Sequence, residues 1–180
     1  MTLQEIYETK FTTPSDINEH LPILKEYAEK CAHVTEFGVR DVVSTYALMN
    51  GKPKTMRSYD ISPVENHGTS REFLTQLALD NGVDFKFEVG DTREIEIEET
   101  ELLFIDTWHI YEQVKKELEI HSSKVSKYLI FHDTTTFGVN GEDGSAGLWP
   151  AIEEFLASNS NWIIEKKLEN NNGLTILTKK

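Results

Sequence analysis

Two short apolar runs, each ending on an acid, constrain this chain more than anything else in it. Leu102-Leu103-Phe104-Ile105 stops at Asp106, and Tyr128-Leu129-Ile130-Phe131 stops at His132-Asp133. Between them Ile110, Val114, Leu118 and His121 recur three or four residues apart, with Glu112, Lys115, Lys116, Glu117 and Glu119 interleaved, which is the spacing of an amphipathic helix. Strands so uniformly apolar are buried on both faces, and a helical crossover between them makes them parallel. Both then deliver their acidic ends to one edge of one sheet. Ligands of open α/β sheets bind outside the carboxyl ends of the strands, so Asp106, His109, His132 and Asp133 are expected to converge where chemistry occurs.

The rest of the chain repeats that unit. Residues 1–14 show little periodicity and end in Thr12-Thr13-Pro14, so an N-terminal arm is expected there. A capping helix is expected within 15–32: Pro22 suits its first turn, and Ile23, Leu24, Tyr27, Ala28 and Cys31 share a face opposite Lys25, Glu26, Glu29 and Lys30. A first strand over 33–37 breaks at Gly38, and Val42, Val43, Tyr46, Ala47 and Met49 predict a helix closed by Asn50-Gly51. Residues 55–60 read as a second strand, which Pro63 keeps from pairing further. Phe73, Leu74, Leu77 and Ala78 make the next helix, and 83–89 alternates as a third strand before Gly90-Asp91. The stretch 92–101 is so acidic that any helix in it is short. Residues 134–147 hold four glycines and no apolar period, and read as a long loop on the acidic edge. Trp149, Ile152, Phe155 and Leu156 form a last helix with Pro150 in its first turn. The runs 162–164 and 174–177 then pair as a hairpin through Asn170-Asn171-Asn172-Gly173. The expected architecture is one α/β domain over 1–180: a single doubly wound, mostly parallel seven-stranded sheet with helices on both faces and a C-terminal antiparallel hairpin.

Composition narrows the partners. With 38% hydrophobic and 27% charged residues the chain can build one ordinary core. The single Cys31 cannot form an internal disulfide, no zinc-type Cys/His spacing is present, and the opening MTLQEIYETKF has neither the basic nor the apolar region of a secretion signal, so a cytoplasmic protein is expected. No apolar run is long enough to span a bilayer. The 31 acids against 18 bases, a net charge of -13, would repel phosphate backbones and anionic lipid, so neither nucleic acid nor membrane is an expected partner.

Four of the first five strands end on or just before an acid: Glu36, Asp60, Asp91 and Asp106. Each alone reads equally well as a turn-forming residue, but as a set they form a row of acceptors for a nucleoside-like ligand, with Asp60 at the position that takes ribose hydroxyls. Gly38 allows close backbone approach at the first turn. Asp106 and Asp133, with His132 beside the second, make an oxygen-rich site that suits a hard divalent cation such as magnesium. His109, one turn after Asp106, is placed to act as a general base or to support the cation's ligands. Trp108 and Tyr111 either wall a substrate pocket or pack as core aromatics, and Glu142-Asp143 either close over the site as a lid or are solvated loop charge.

Three stretches carry a likeness to a known family: Glu36-Phe37-Gly38-Val39-Arg40 with Ser44-Thr45, then Asp106-Thr107-Trp108-His109-Ile110-Tyr111, then Phe131-His132-Asp133. From about Val34 to its end the chain resembles class I S-adenosylmethionine-dependent methyltransferases, and within them the small O-methyltransferase branch of cephalosporin-hydroxylase-like, macrolide-sugar and catechol-type enzymes. The resemblance implies that Glu36 and Gly38 lie against the methionine part of the cofactor, that Asp60 bonds its ribose and that Asp91 approaches its adenine. It implies a metal held by Asp106, His132 and Asp133, and catalysis by Asp106 and His109 on a small hydroxylated acceptor, such as a sugar. Where family members carry further glycines this chain has Arg40, Val42 and Val43, and His132 stands where relatives often carry an acid. With 180 residues there is little room for substrate-recognition insertions, so either the 134–147 loop or a second copy in a homo-oligomer would complete the pocket. The alternative is a catalytically silent nucleoside-binding module of the same fold. An NAD-dependent oxidoreductase is disfavoured, because Gly38 begins no GxGxxG and no second domain follows.

Overall fold

Along Thr100–Ile105 successive side chains alternate between two hydrophobic clusters: Leu102 and Phe104 join one, Leu103 and Ile105 the other. A strand that feeds two cores must lie inside a sheet covered on both faces. The computed structural model describes residues 1–180. Its strands are β1 (His33–Phe37), β2 (Thr55–Asp60), β3 (Asp84–Val89), β4 (Thr100–Ile105), β5 (Val125–His132), β6 (Trp162–Leu168) and β7 (Leu174–Lys179). Its helices are α1 (Leu3–Thr12), α2 (Leu21–Glu29), α3 (Val43–Asn50), α4 (Arg71–Asp80), α5 (Tyr111–His121) and α6 (Leu148–Ser158). None is long and apolar enough to cross a membrane.

All seven strands form one sheet in the order β3-β2-β1-β4-β5-β7-β6. The first five run parallel, whereas β7 pairs antiparallel with both β5 and β6. The chain lays strands outward from β1 to β3 and then returns to place β4 on the other side of β1. That reversal opens a crevice between the carboxyl ends of β1 and β4. Buried side chains of α1, α2, α3 and α4 fill one cluster, and those of α5 and α6 fill the other.

At the N-terminus the structure departs from expectation. Most of the expected arm over 1–14 is helix α1. Thr2 accepts from the Glu5 backbone N–H while the Glu5 carboxylate accepts from that of Thr2, a reciprocal cap. Leu3, Ile6 and Tyr7, at the helical spacing, are buried in the first cluster. The acidic stretch 92–101 contains a turn and extended chain but no helix. Two contacts anchor it: Ile97 is buried, and His121 Nε2 donates to the Thr92 carbonyl at 2.7 Å. The expected hairpin forms with β7 as its inner strand. Its turn places Asn171, Asn172 and Gly173 at positive φ and docks on the segment before α2, where Asn171 Oδ1 accepts from Glu19 N at 2.8 Å and Asn171 Nδ2 donates to Ser15 O at 2.7 Å.

Glu36 lies fully buried in the middle of this frame. Its Oε1 accepts from Ser44 Oγ (2.6 Å), and its Oε2 from Thr45 Oγ1 (2.9 Å) and Ser58 Oγ (2.7 Å), so one carboxyl group ties β1 to β2 and α3. Burial pushes its pKa up to about 7, outweighing the hydroxyl donors that favour the anion. An acid that binds its proton more tightly folded than unfolded contributes stability below its ordinary value of 4.5, and that contribution is lost as pH rises through about 7. At roughly 1.4 kcal/mol per pKa unit the loss is about 3 kcal/mol. Urea unfolding at pH 4.5 and pH 8 should show a smaller loss of stability in Glu36→Gln than in the wild type; equal losses would contradict this account.

Candidate active site

A cavity of about 490 Å³ lies along the carboxyl edge, within the size range of small-ligand sites. Gly38, Asp60, Asp91, Asp106 and His109 all line it. Its floor begins at the turn after β1. Gly38 has φ +83°, and a Cβ there would sit 2.0 Å from the Asp106 carbonyl oxygen, so the end of β1 packs directly on the backbone that leaves β4. Asp60, at the end of β2, then grips the turn. Its Oδ2 accepts from the N–H groups of Val39 (2.7 Å) and Arg40 (3.0 Å), and its Oδ1 from Ser62 N at 2.8 Å. Arg40 and Val42 both hold positive φ, a conformation that costs roughly 1–2 kcal/mol for an ordinary residue. The backbone thus follows a path suited to glycine without the glycines. Arg40 extends over the cavity to an ion pair with Asp16 at 2.5 Å.

Asp91 lines the far end, where Arg93 donates to both its oxygens from Nε (3.0 Å) and Nη2 (2.7 Å) and lowers its pKa. Beside it is a buried acid that its charge alone assigns to solvent. Glu117, on α5, accepts from Thr92 Oγ1 (2.5 Å), Gln113 Nε2 (2.7 Å) and Thr107 Oγ1 (3.1 Å), and burial raises it to about 7. Thr92, Thr107 and Gln113 are themselves cavity residues. The signal in the sequence was position: Glu117 falls between Val114 and Leu118 on the same stripe as His121.

At the β4 end the expected acids and imidazoles do meet. His109 Nε2 lies 3.2 Å from Asp106 Oδ1 and 2.9 Å from Asp133 Oδ2, and His132 Nδ1 lies 3.2 Å from each of the same oxygens. Burial opposes charge on both rings, but the two carboxylates outweigh it and raise each histidine to about 10. The same contacts hold Asp106 near 2 and Asp133 well below the usual range, against the effect of burial. The donor atoms of Asp106, His109 and Asp133 lie within 4.8 Å of one another, and His132 Nδ1 meets the same two carboxylate oxygens. His132 is almost fully buried, and its Nε2 donates to the Asn171 carbonyl of the hairpin turn at 3.2 Å. Asp133 Oδ1 is buried with no hydrogen-bond partner. Two carboxylates and an imidazole, one oxygen unspent, fit a divalent cation.

The remaining expected residues divide. Glu36 is not a cavity residue; from within β1 it spends its oxygens on hydroxyls of α3 and β2. Trp108 lines the cavity and is 47% exposed, whereas Tyr111 turns its hydroxyl to Glu154 on α6. In the 134–147 loop Glu142 reaches the cavity, while Asp143 caps Ser145 N within the loop. Because the Gly38 contact sets the whole floor, Gly38→Ala should cost about 3 kcal/mol or more in urea unfolding, from steric overlap together with strained φ. A cost under 1 kcal/mol would show that β1 and β4 can separate freely.

No protein-family profile matches the chain, and no curated protein is similar to it in sequence. Solved structures are similar in fold. A Staphylococcus aureus structure named for caffeoyl-CoA O-methyltransferase superposes with a TM-score of 0.68 at 16% identity, covering 99% of this chain and 90% of that one. An O-methyltransferase from Bacillus cereus in complex with SAH gives 0.65 at 14% identity, covering 99% and 90%. A Podospora anserina methyltransferase, also SAH-bound, gives 0.62 at 19% identity, covering 99% and 87%. Over essentially its whole length the chain has the fold of the class I S-adenosylmethionine-dependent O-methyltransferases.

Proposed function

We propose that this protein is an S-adenosylmethionine-dependent O-methyltransferase that acts on a small hydroxylated acceptor, such as a sugar, with a divalent cation at Asp106 and Asp133. The observation that carries the reading is the continuity of one cavity from the Gly38 turn, past Asp60 and Asp91, to Asp106 and His109. A nucleoside-sized ligand and a reacting hydroxyl can therefore share it. The first turn of α3, which no side chain caps, opens on the cavity at Val43 and Ser44 and suits the cofactor's carboxylate. Asp60 stands where the ribose would lie, and it already fixes the turn through two backbone N–H groups. Asp91 faces the adenine end. Glu36 acts at one remove, by holding α3 against β1 and β2.

The bound cofactor supplies an electrophilic methyl group on sulfur, and a divalent cation supplies the charge that lowers the pKa of an acceptor hydroxyl. The chain's own part is to orient that hydroxyl at Asp106 and Asp133, in line with the methyl group, and to receive its proton at His109 Nε2, which would be free for it only where a cation's charge offsets the two carboxylates that otherwise keep the ring protonated. Trp108 offers the acceptor a flat apolar face at the rim. The silent-module reading draws on Arg40 and Val42 standing in place of glycines. It is weakened by their backbone, which keeps the left-handed turn that glycines would make.

Calorimetric titration with S-adenosylhomocysteine, with magnesium and with chelator, tests the cofactor class. Binding at micromolar Kd or tighter, about -8 kcal/mol, is the expected result, and absence of binding in both buffers would overturn the proposal. Asp60→Ala should weaken that binding by about tenfold or more. Asp106→Asn should abolish methyl transfer to hydroxylated acceptors while leaving the circular dichroism spectrum unchanged; retained activity would remove Asp106 from the chemistry.

A further inference from the structure

The wall at the Asp91 end of the cavity turns its hydrogens away from a ligand, and a carboxyl group outside the cavity is the reason. Glu117 is fully buried and does not line the cavity. Thr92, Thr107 and Gln113 do line it, and all three donate to this carboxyl group. Gln113 commits its amide nitrogen completely: Nε2 donates to Glu117 Oε1 at 2.7 Å and to Thr92 Oγ1 at 3.0 Å. A reversed amide would set its oxygen against Oε1, acceptor to acceptor, so the network itself decides which end of the amide is which. Protonation of Glu117 leaves this unchanged, because Oε1 already takes two donors and the proton goes to Oε2, beside Thr107. What Gln113 has left to offer is Oε1. The residue is 5% exposed, and no donor of the protein meets that oxygen. The other acceptor at this end, Asp91, is already occupied, since Arg93 donates to both its oxygens.

We propose that Gln113 Oε1 reads the exocyclic amino group of a bound purine, and that Glu117 is the positioning residue that holds the amide in that role. The inference rests on the nucleoside reading of the cavity and adds to it the base that is selected and the two residues that select it. Adenine presents a 6-amino donor to such a wall. A 6-oxopurine presents a second acceptor, and two oxygens then face each other in a confined space with no hydrogen between them. A site built around a hydrogen bond rejects an analogue that cannot make it, because its own polar group is left unpaired. Glu117 sits one helical turn after Gln113 on α5, which is what lets its carboxyl group reach the amide from behind the wall.

The test is calorimetric titration of the full chain with two matched pairs, S-adenosylhomocysteine against S-inosylhomocysteine and adenosine against inosine. In each pair the amino compound should bind at least about 10-fold more tightly than the 6-oxo compound. Gln113→Leu removes the acceptor; it should weaken the amino compounds about tenfold and bring each ratio below about threefold. Glu117→Leu should collapse the ratios with Gln113 intact, because the amide is then free to turn its hydrogens to the cavity. Glu117→Gln keeps an oxygen in the place of Oε1 and should retain the wild-type ratios, a rescue that a merely structural role would not produce. Circular dichroism and urea unfolding establish that each variant is folded, and if Glu117→Leu is not, Gln113→Leu and Glu117→Gln decide. Equal binding of amino and oxo compounds to the wild type, unchanged ratios in Gln113→Leu or in folded Glu117→Leu, or collapsed ratios in Glu117→Gln would each overturn the inference. The two readings fail separately. Adenosine preferred to inosine, with S-adenosylhomocysteine no tighter than adenosine, would defeat the methyltransferase reading alone. Tight S-adenosylhomocysteine binding with ratios indifferent to both residues would defeat the inference alone, and no binding of any of these compounds would overturn both.

Discussion

The contact between Gly38 and the Asp106 carbonyl is the constraint on which the rest of the site depends. Two strands that are 68 positions apart in sequence end side by side, and only a residue without a side chain lets the turn after one lie on the backbone after the other. From that point Asp60 reaches across to hold the turn, and Asp106 is set at the head of the cluster with His109 and Asp133. Replacing side-chain packing by backbone contact makes the site rigid where a cofactor and an acceptor would have to meet in line.

Rigidity here is maintained against strain and charge. Arg40 and Val42 sit in left-handed backbone, which persists because Asp60 spends a carboxylate oxygen on the two N–H groups beside them. Two fully buried glutamates, Glu36 and Glu117, stand behind the cavity wall, each satisfied by three side-chain donors. Such groups are poor stabilisers at neutral pH, but each specifies one arrangement of the elements it joins. The wall is thus built from polar networks that have a single solution.

Much of this is legible in the sequence, for reasons that vary by residue. The unit 102–133 stands out because buried parallel strands have no polar face to confuse the pattern, and their terminal acids mark the edge. The row Asp60, Asp91, Asp106 is legible for the same reason. Helix α1 is harder to see because only Leu3, Ile6 and Tyr7 are apolar in its buried stripe, although Thr2 and Glu5 already spell its cap. Glu36 reads as a ligand-facing acid, since nothing local reveals that Ser44, Thr45 and Ser58 converge on it. Glu117 reads as solvent-facing because charge outweighs position in a periodic pattern. How His109 and His132 are held depends on Phe137, stacked on the first ring, and on the Asn171 carbonyl that meets the second, residues 28 and 39 positions away, and no local pattern contains that information.

The hairpin turn at 170–173 gives the site a place in time as well as in space. Asn171 meets Glu19 across 152 residues and His132 across 39, and Asn170 accepts from His20 Nε2 at 2.9 Å. Contacts that span so much chain form late, because the entropy of closing the intervening loop must be overcome first. During synthesis the sheet from β1 to β5 can pair, and its acids can gather, while His132 still lacks the carbonyl that anchors it. The back of the cluster is closed only after the ribosome has released the final strands, so a nascent chain would hold a nearly complete fold before it held a finished site.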